Sequence, residues 1–373
     1  MRPAALAAFE QACAVGGNPS SVHVHGRAAR RILEESRESI SADLGVRPGD
    51  VIFTSGGTEA DNAGVKGLYL QAISGNPARR RILLSPTEHA AVLDSAQWLA
   101  AYHDARIEWI PVNRQGIVDL DWLAENLANG DDIALVAAMW ANNETGVIAP
   151  IEYIAKLCAE AGIPLHSDAV QATALSPAGD WLQGPVTLAL SGHKFGAPIG
   201  IGAMIVNKVT PVAVSQGGGQ EIKIRSGTVP VALAASMAAA LRESRAQPST
   251  QTAALRNDLE ARIKSAFPDA IINAEAADRL PNISSINFPS ASSEVMLMLL
   301  DNAGISCSAG SACSAGVHRP SHVLAAMGLG DDAASSSLRF SVGWNSTPAD
   351  IDILLEALPN AVDRAKAARS RSV

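Results

Sequence analysis

The chain has 373 residues, a formal net charge of −8 and four cysteines. The acidic balance argues against nucleic acid as a main partner. Four cysteines without zinc-ligand spacing exclude a disulfide scaffold and predict a reducing, cytoplasmic setting. With 47% hydrophobic and 18% charged residues the chain is globular and not disordered. No apolar run reaches transmembrane length and no signal peptide is read at its start, so no membrane association is expected.

An alanine-rich helix is predicted from Pro3 to Ala14, and Asn18-Pro19-Ser20-Ser21 breaks the chain after it. An amphipathic helix from about Gly26 to Leu44 follows. Strands and helices then alternate. Val51-Ile52-Phe53-Thr54 is a short strand, Ser55-Gly56-Gly57-Thr58 a tight turn, and a helix runs on from Glu59. Arg81 to Leu84 is the next strand, with His89 opening a helix. Ile107 to Val112, Ile133 to Met139, Leu165 to Ser167 and Val186 to Leu190 continue the strands, and helices at Asp119 to Leu127 and Ile151 to Glu160 lie between some of them. Such alternation predicts an α/β domain with a parallel sheet covered on both faces, whose ligands bind at the carboxyl ends of the strands. The pattern changes after about Ala235, where a long helix leads to a smaller α+β region with strands at Asn282 to Phe288 and Ser337 to Val342. The expected division is a large domain over 15–235 and a small one from 1–14 with 236–373.

Chemistry gathers at the predicted strand ends. Lys194, in Ser191-Gly192-His193-Lys194, follows an apolar strand among small residues, where a lysine amine suits covalent attachment of an aldehyde cofactor. Asp168 stands just past another strand; by itself it reads as a helix cap, yet an acid there also suits the pyridinium nitrogen of pyridoxal 5'-phosphate. The turn at Gly57 and Thr58 offers backbone N–H groups and a hydroxyl to a phosphate without being a P-loop. His89, at a strand-to-helix junction, is placed to stack on a flat ring. Asn142-Asn143-Glu144 reads as a turn. Arg339 is an arginine inside an apolar strand and needs a carboxylate, from the protein or from a substrate. Cys313 sits among glycine, serine and alanine, a loop composition that suits a moving nucleophile, although a free cysteine is most often a small buried hydrophobe. Cys158 lies on an amphipathic helix and is expected in the core.

The ordered series Gly17-Asn18-Pro19-Ser20-Ser21, Thr54-Ser55-Gly56-Gly57-Thr58-Glu59-Ala60-Asp61-Asn62, Glu88-His89-Ala90-Ala91-Val92, Asn142-Asn143-Glu144, Asp168-Ala169-Val170-Gln171, Ser191-Gly192-His193-Lys194, Arg225-Ser226-Gly227-Thr228 and Gly310-Ser311-Ala312-Cys313 resembles the cysteine desulfurases of the class V pyridoxal-phosphate enzymes, in their nitrogen-fixation and housekeeping subgroup. The resemblance covers nearly the whole chain. It implies a mostly parallel seven-stranded sheet in the large domain and a homodimer that takes sulfur from L-cysteine for a sulfur-acceptor or iron–sulfur scaffold protein. It further implies that Lys194 binds the cofactor covalently and moves the Cα proton, that Asp168 pairs the ring nitrogen and that Gln171 bonds the phenolic oxygen. His89 stacks on the ring. Thr58, Ser191 and His193, with Thr228 from the partner chain, hold the phosphate. Asn143 and Arg339 meet the substrate, Cys313 takes the sulfur as a persulfide, and no metal is implied.

The rival readings are a selenocysteine lyase, another class V aminotransferase, which has no use for Cys313, or a non-catalytic interaction subunit. The last is motivated by a start at Met1-Arg2-Pro3, just after the strand with which the family opens; the resemblance thus implies a truncated product or a mis-chosen start. Ile199 and Ile222 stand where many relatives carry lysine and arginine. Cys307 adds a second thiol, expected in the core or as an oxidation partner of Cys313.

Overall fold

Runs of four to six apolar and β-branched residues, too short for buried helices and bounded by turns, form the strands of a seven-stranded sheet. The computed structural model describes residues 1–172, 177–247, 249–310 and 320–370. These fall into two units, one of residues 1–110, 120–140 and 150–247, the other of residues 111–119, 141–149 and those from 248 onward.

The sheet belongs to the first unit. Its strands are β1 (Val51–Thr54), β2 (Arg81–Leu84), β3 (Arg106–Trp109), β4 (Ile133–Ala137), β5 (Leu165–Asp168), β6 (Val186–Ser191) and β7 (Gly202–Asn207), in the order β1-β7-β6-β5-β4-β2-β3. β7 alone runs against its neighbours β1 and β6; β6, β5, β4, β2 and β3 pair in parallel. The mostly parallel sheet is therefore as expected. Strands β1, β4, β5 and β6 are buried along their whole length, the mark of a sheet covered on both faces. Among the described residues, seven α-helices accompany it: α1 (Pro3–Val15), α2 (Val24–Leu44), α3 (Gly57–Gly75), α4 (Ala90–Tyr102), α5 (Leu120–Ala128), α6 (Ile151–Ala161) and α7 (Val231–Ala246). Cys158 is buried on α6, as expected, and burial pushes its thiol up to about 12.

The structure corrects three boundaries. Residues 1–14, expected with the small domain, belong to the first unit. There the Arg2 N–H donates to the Gly196 carbonyl (2.8 Å), its Nε donates to the Phe195 carbonyl (2.9 Å), and Ser236 on α7 donates to the Ala5 carbonyl (2.7 Å). The same packing keeps all of α7 in this unit, so the division falls at 247 and not at 235. β3 ends at Trp109, because Pro111 has no N–H to continue the ladder.

The second unit carries the antiparallel strands β8 (Ile271–Ile272), β9 (Ile283–Asn287) and β10 (Ser337–Ser341), in the order β10-β9-β8. They accompany helices α8 (Thr250–Ala266), α9 (Ser293–Asn302), α10 (His322–Ala326), α11 (Asp331–Ala334) and α12 (Pro348–Ser370). Leu259, Ile263, Ile286, Met296, Leu300, Leu338 and Leu358 fill its core. Among the described residues, no helix is long and apolar enough to cross a membrane.

One close approach decides how α3 lies on the sheet. A Cβ on Gly64 would fall 2.3 Å from Nδ1 of His166 on β5 and 3.1 Å from Oγ1 of Thr187 on β6. Only a residue without a side chain lets the helix settle there. Gly64→Ala should therefore destabilise the chain by about 1–3 kcal/mol through overpacking, read as a lower midpoint in urea unfolding. An unchanged midpoint would show that α3 can lift away at no cost.

Candidate active site

Strand alternation places His166 and Asp168 on the same face of β5. Asp168 is buried at the end of the strand, and its Oδ1 accepts from the Val170 N–H at 2.8 Å. Facing it is Asp61, on the second turn of α3 and also buried. His89 comes in from the junction of β2 and α4. One donor atom from each of Asp61, His89 and Asp168 lies within 4.8 Å of the others. His89 caps α4 by accepting the Ala91 N–H on Nδ1 at 3.1 Å, so a neutral ring carries its proton on Nε2.

The electrostatics of this corner follow from burial. Burial first, and then the neighbouring Asp61 carboxyl, push Asp168 up to about 7. Burial alone holds Asp61 well above the usual carboxylate range. Glu88, beside His89, is raised by burial and then by Asp168, while its Oε1 accepts the Met139 N–H from the chain just beyond β4. His166 is lowered to about 4 by burial, so its ring is neutral at neutral pH.

The end of β6 supplies the second half of the site. Ser191 packs against Gly57 at the start of α3, and its Oγ lies 3.0 Å from Nδ1 of His193. Partial burial, then the nearby Lys194 charge, hold His193 below its ordinary value. Lys194 lies on the single turn Gly192–Phe195, which Gly196 closes at φ 101°, a backbone that favours glycine. Its side chain is exposed, as is that of Thr58 in the first turn of α3. Behind Thr58, Glu59 accepts from the Ser55 N–H (2.6 Å) and pairs with Arg225 (2.8 Å). Burial raises the Glu59 carboxyl, but these partners outweigh it and hold it below its ordinary value. Gln171 is half-buried in the turn after β5, and Thr228 is exposed beyond Gly227.

The first unit thus brings Gly57, Thr58, His89, Asp168, Gln171, Ser191, His193 and Lys194 to the ends of β1, β2, β5 and β6. This donor set fits pyridoxal phosphate. The N-terminus of a 19-residue helix, with Ser191 packed on it, offers an anion site. A buried carboxylate with no Lys or Arg ion pair among the described residues suits a cationic ring nitrogen.

Sequence reasoning read Asp61 and His166 only as members of their motifs, without a role of their own, and missed a clamp on the 217–228 loop. In that clamp, buried Arg37 pairs with Glu221 at 2.7 Å, and Glu221 accepts the Phe53 N–H. Glu221, Ile222 and Lys223 all have left-handed backbone (φ 47°, 49° and 66°), strained for residues other than glycine. The signal that could have found Asp61 was its spacing from Gly64, three residues apart on one face of α3.

In the second unit, Arg339 on β10 donates to the Asn143 carbonyl (2.8 Å) and to the Ser308 hydroxyl (2.9 Å), while Arg339 and Ser308 exchange both backbone hydrogen bonds. The Asn142 side chain ties its turn by accepting from the N–H groups of Glu144 and Thr145. The next residue, Glu144, accepts from the Ser321 hydroxyl, and Ser321 caps α10. Adjacent residues of one turn therefore hold both Arg339 and Ser321. Cys307 packs on the core of this unit. Burial, then Asp301, push its thiol up to about 11, against the pull of Arg339. Cys313 lies outside the described residues.

A mostly parallel sheet with an exposed lysine, a buried aspartate and a helix N-terminus at its strand ends is an arrangement that fits a pyridoxal-phosphate enzyme. The Aminotransferase class-V family model matches residues 4–354. The chain is 45% identical to an IscS-like cysteine desulfurase of Mycobacterium tuberculosis, over 99% of this chain and 95% of that protein. It is 36% identical to the cysteine desulfurase NifS of Azotobacter vinelandii, over 93% and 86%. A solved NifS-like protein from Rickettsia africae superposes with a TM-score of 0.84 at 31% identity, covering 97% of this chain and 96% of that one. The chain belongs to the class-V aminotransferase family, in the branch of the cysteine desulfurases.

The raised Asp168 sets a pH dependence. Folding favours its protonated form, so its contribution to stability is full below the ordinary value of 3.8 and is lost as pH rises through about 7. His166 contributes with the opposite sign in an overlapping range, which makes the comparison with Asp168→Asn the useful one. In urea unfolding of cofactor-free protein, the stability of the wild type relative to that variant should fall between about pH 4 and about pH 7, with a slope of at most about 1.4 kcal/mol per pH unit. Parallel stability curves would contradict the assignment.

Proposed function

We propose that this chain takes the sulfur from L-cysteine, releases L-alanine and carries the sulfur on Cys313 as a persulfide for a sulfur-acceptor or iron–sulfur scaffold protein. The single observation behind this reading is the set of Lys194, Asp168, His89 and the Ser191–His193 pair at neighbouring strand ends, in a chain whose relatives are named cysteine desulfurases. When bound, pyridoxal phosphate supplies an aldehyde for the substrate amine and a ring that accepts electron density from its carbon atoms.

The roles proposed here are those the family resemblance implies, and the positions of Lys194, Asp168, His89 and the Ser191–His193 pair support them. Lys194, on its exposed turn, anchors the cofactor aldehyde at rest and then moves the Cα proton. Asp168 keeps a proton on the ring nitrogen, which its burial beside the Val170 N–H fits it to do. Gln171 donates to the phenolic oxygen, and His89 stacks on the ring with its Nε2 proton available. Gly57, Thr58, Ser191 and His193 hold the phosphate at the start of α3. Thr228, exposed at the end of its clamped loop, reaches the phosphate of the second chain in a homodimer. Arg339, oriented by Asn143 and Ser308, grips the substrate carboxylate. The Cys313 thiolate attacks the substrate sulfur as the carbon–sulfur bond breaks, and the vacated carbon takes a proton to give alanine.

Purified protein with pyridoxal phosphate and L-cysteine should release alanine and gain one sulfur atom on the Cys313 peptide by mass spectrometry. Borohydride should fix the cofactor on Lys194, and Lys194→Ala should abolish that adduct. Cys313→Ser should still form coloured species yet lose sulfur release by about 10²-fold or more, as expected for a missing nucleophile. Cys307→Ser should keep most of the activity, because a thiol raised to about 11 is almost wholly protonated at neutral pH. Sulfur found on Cys307 and not on Cys313, or a cofactor adduct on another lysine, would overturn the reading.

A further inference from the structure

We propose that Asp61 is a positioning residue that stays protonated at neutral pH, donating its proton to Nε2 of His166, so that the single negative charge of the Asp61–Asp168 pair rests on Asp168. The inference deepens the proposed function and rests on Asp168 being the partner of the ring nitrogen. Asp61 Oδ1 lies 3.2 Å from His166 Nε2, and His166 Nδ1 lies 2.9 Å from Thr187 Oγ1. All three side chains are buried, and the absent side chain of Gly64 is what lets α3 close over them.

Two carboxylates within 4.8 Å, out of water and with no Lys or Arg ion pair among the described residues, do not both hold a charge. The groups facing them decide which one does. Asp168 accepts a backbone N–H from Val170, a bond that favours its ionised form, and His89 approaches it from the start of α4. Glu88 lies on the same side, with its Oε1 taken by the Met139 N–H, and adds a further carboxyl that opposes a second charge. Asp61 instead meets an imidazole, a group able to accept a proton-bearing oxygen on one nitrogen while donating from the other. Thr187 completes the chain, because its hydroxyl oxygen accepts from Nδ1–H. The relay thus runs from the Asp61 O–H to His166 Nε2, and from His166 Nδ1–H to Thr187 Oγ1. Its effect is to leave Asp168 anionic toward a ring N–H.

The tautomer is directly readable. Nitrogen NMR of histidine-labelled, cofactor-free protein, with the His166 signal assigned by its loss in His166→Gln, should show the proton on Nδ1. A proton on Nε2, the pattern of an ionised Asp61, overturns the proposal, and this reading needs neither a variant of Asp61 nor bound cofactor. In the loaded protein, Asp61→Asn, a neutral group that still donates to Nε2, should leave the pH midpoint of the visible cofactor band where it is in the wild type. A displacement of about one pH unit or more, the size expected when a neighbouring charge is lost, also overturns it. Failure of the premise shows separately: a ring absorption unchanged in Asp168→Ala would mean that Asp168 does not face the ring nitrogen, and the relay would have no charge to place.

Discussion

Two carboxyl groups buried within 4.8 Å of each other, at the ends of a fully buried strand and under the second turn of a helix, set the terms for the rest of the larger unit. Water cannot reach them, and among the described residues no lysine or arginine forms an ion pair with either. Folding alone gains nothing from this arrangement, since unpaired buried acids oppose the compact state. A cation beside Asp168 would relieve that cost. The structure supports the two acids with neutral hydrogen-bonding groups, His166, Thr187 and the Val170 N–H, which orient a charge without cancelling it. The close seating of α3 through Gly64 then acts twice. It brings Asp61 onto His166, and it sets the helix N-terminus beside Ser191, a place suited to an anion.

The elements that the sequence made legible are those whose signal is local. Strands such as Val51–Thr54 and Arg81–Leu84 stand as compact apolar runs between turns, and α6 shows its buried stripe in its own periodicity. Strand β7 was not legible, because Gly202–Asn207 follows the glycine-rich Lys194 loop without a helix between, and a lone antiparallel member breaks the alternation that revealed the others. β8, two residues long, carries no pattern at all. The placement of residues 1–14 was illegible for a related reason: Arg2 finds its partners near residues 195 and 243, and nothing in a local window announces a bond of that span.

The same division runs through the site. Lys194, Asp168 and His89 were singled out because each stands at a strand end, a position that composition and alternation mark. Asp61 stood in the Thr54 to Asn62 motif without a role, because an aspartate on a helix is ordinarily a solvated one and its partner His166 lies 105 residues away. The Arg339 reading asked for a carboxylate from the protein or a substrate; the structure instead sets the guanidinium on the Asn143 carbonyl and the Ser308 hydroxyl. The left-handed run at Glu221, Ile222 and Lys223 had no sequence signal, since none of the three is a residue type that favours it.

The turn that holds Arg339 through Asn143 and Ser321 through Glu144 couples two side chains far apart in the chain. The Asn142 side chain holds that turn together by accepting from the Glu144 and Thr145 N–H groups. A change that opened the turn would therefore loosen the guanidinium and the cap of α10 in one event, a coupling that neither side chain reveals alone.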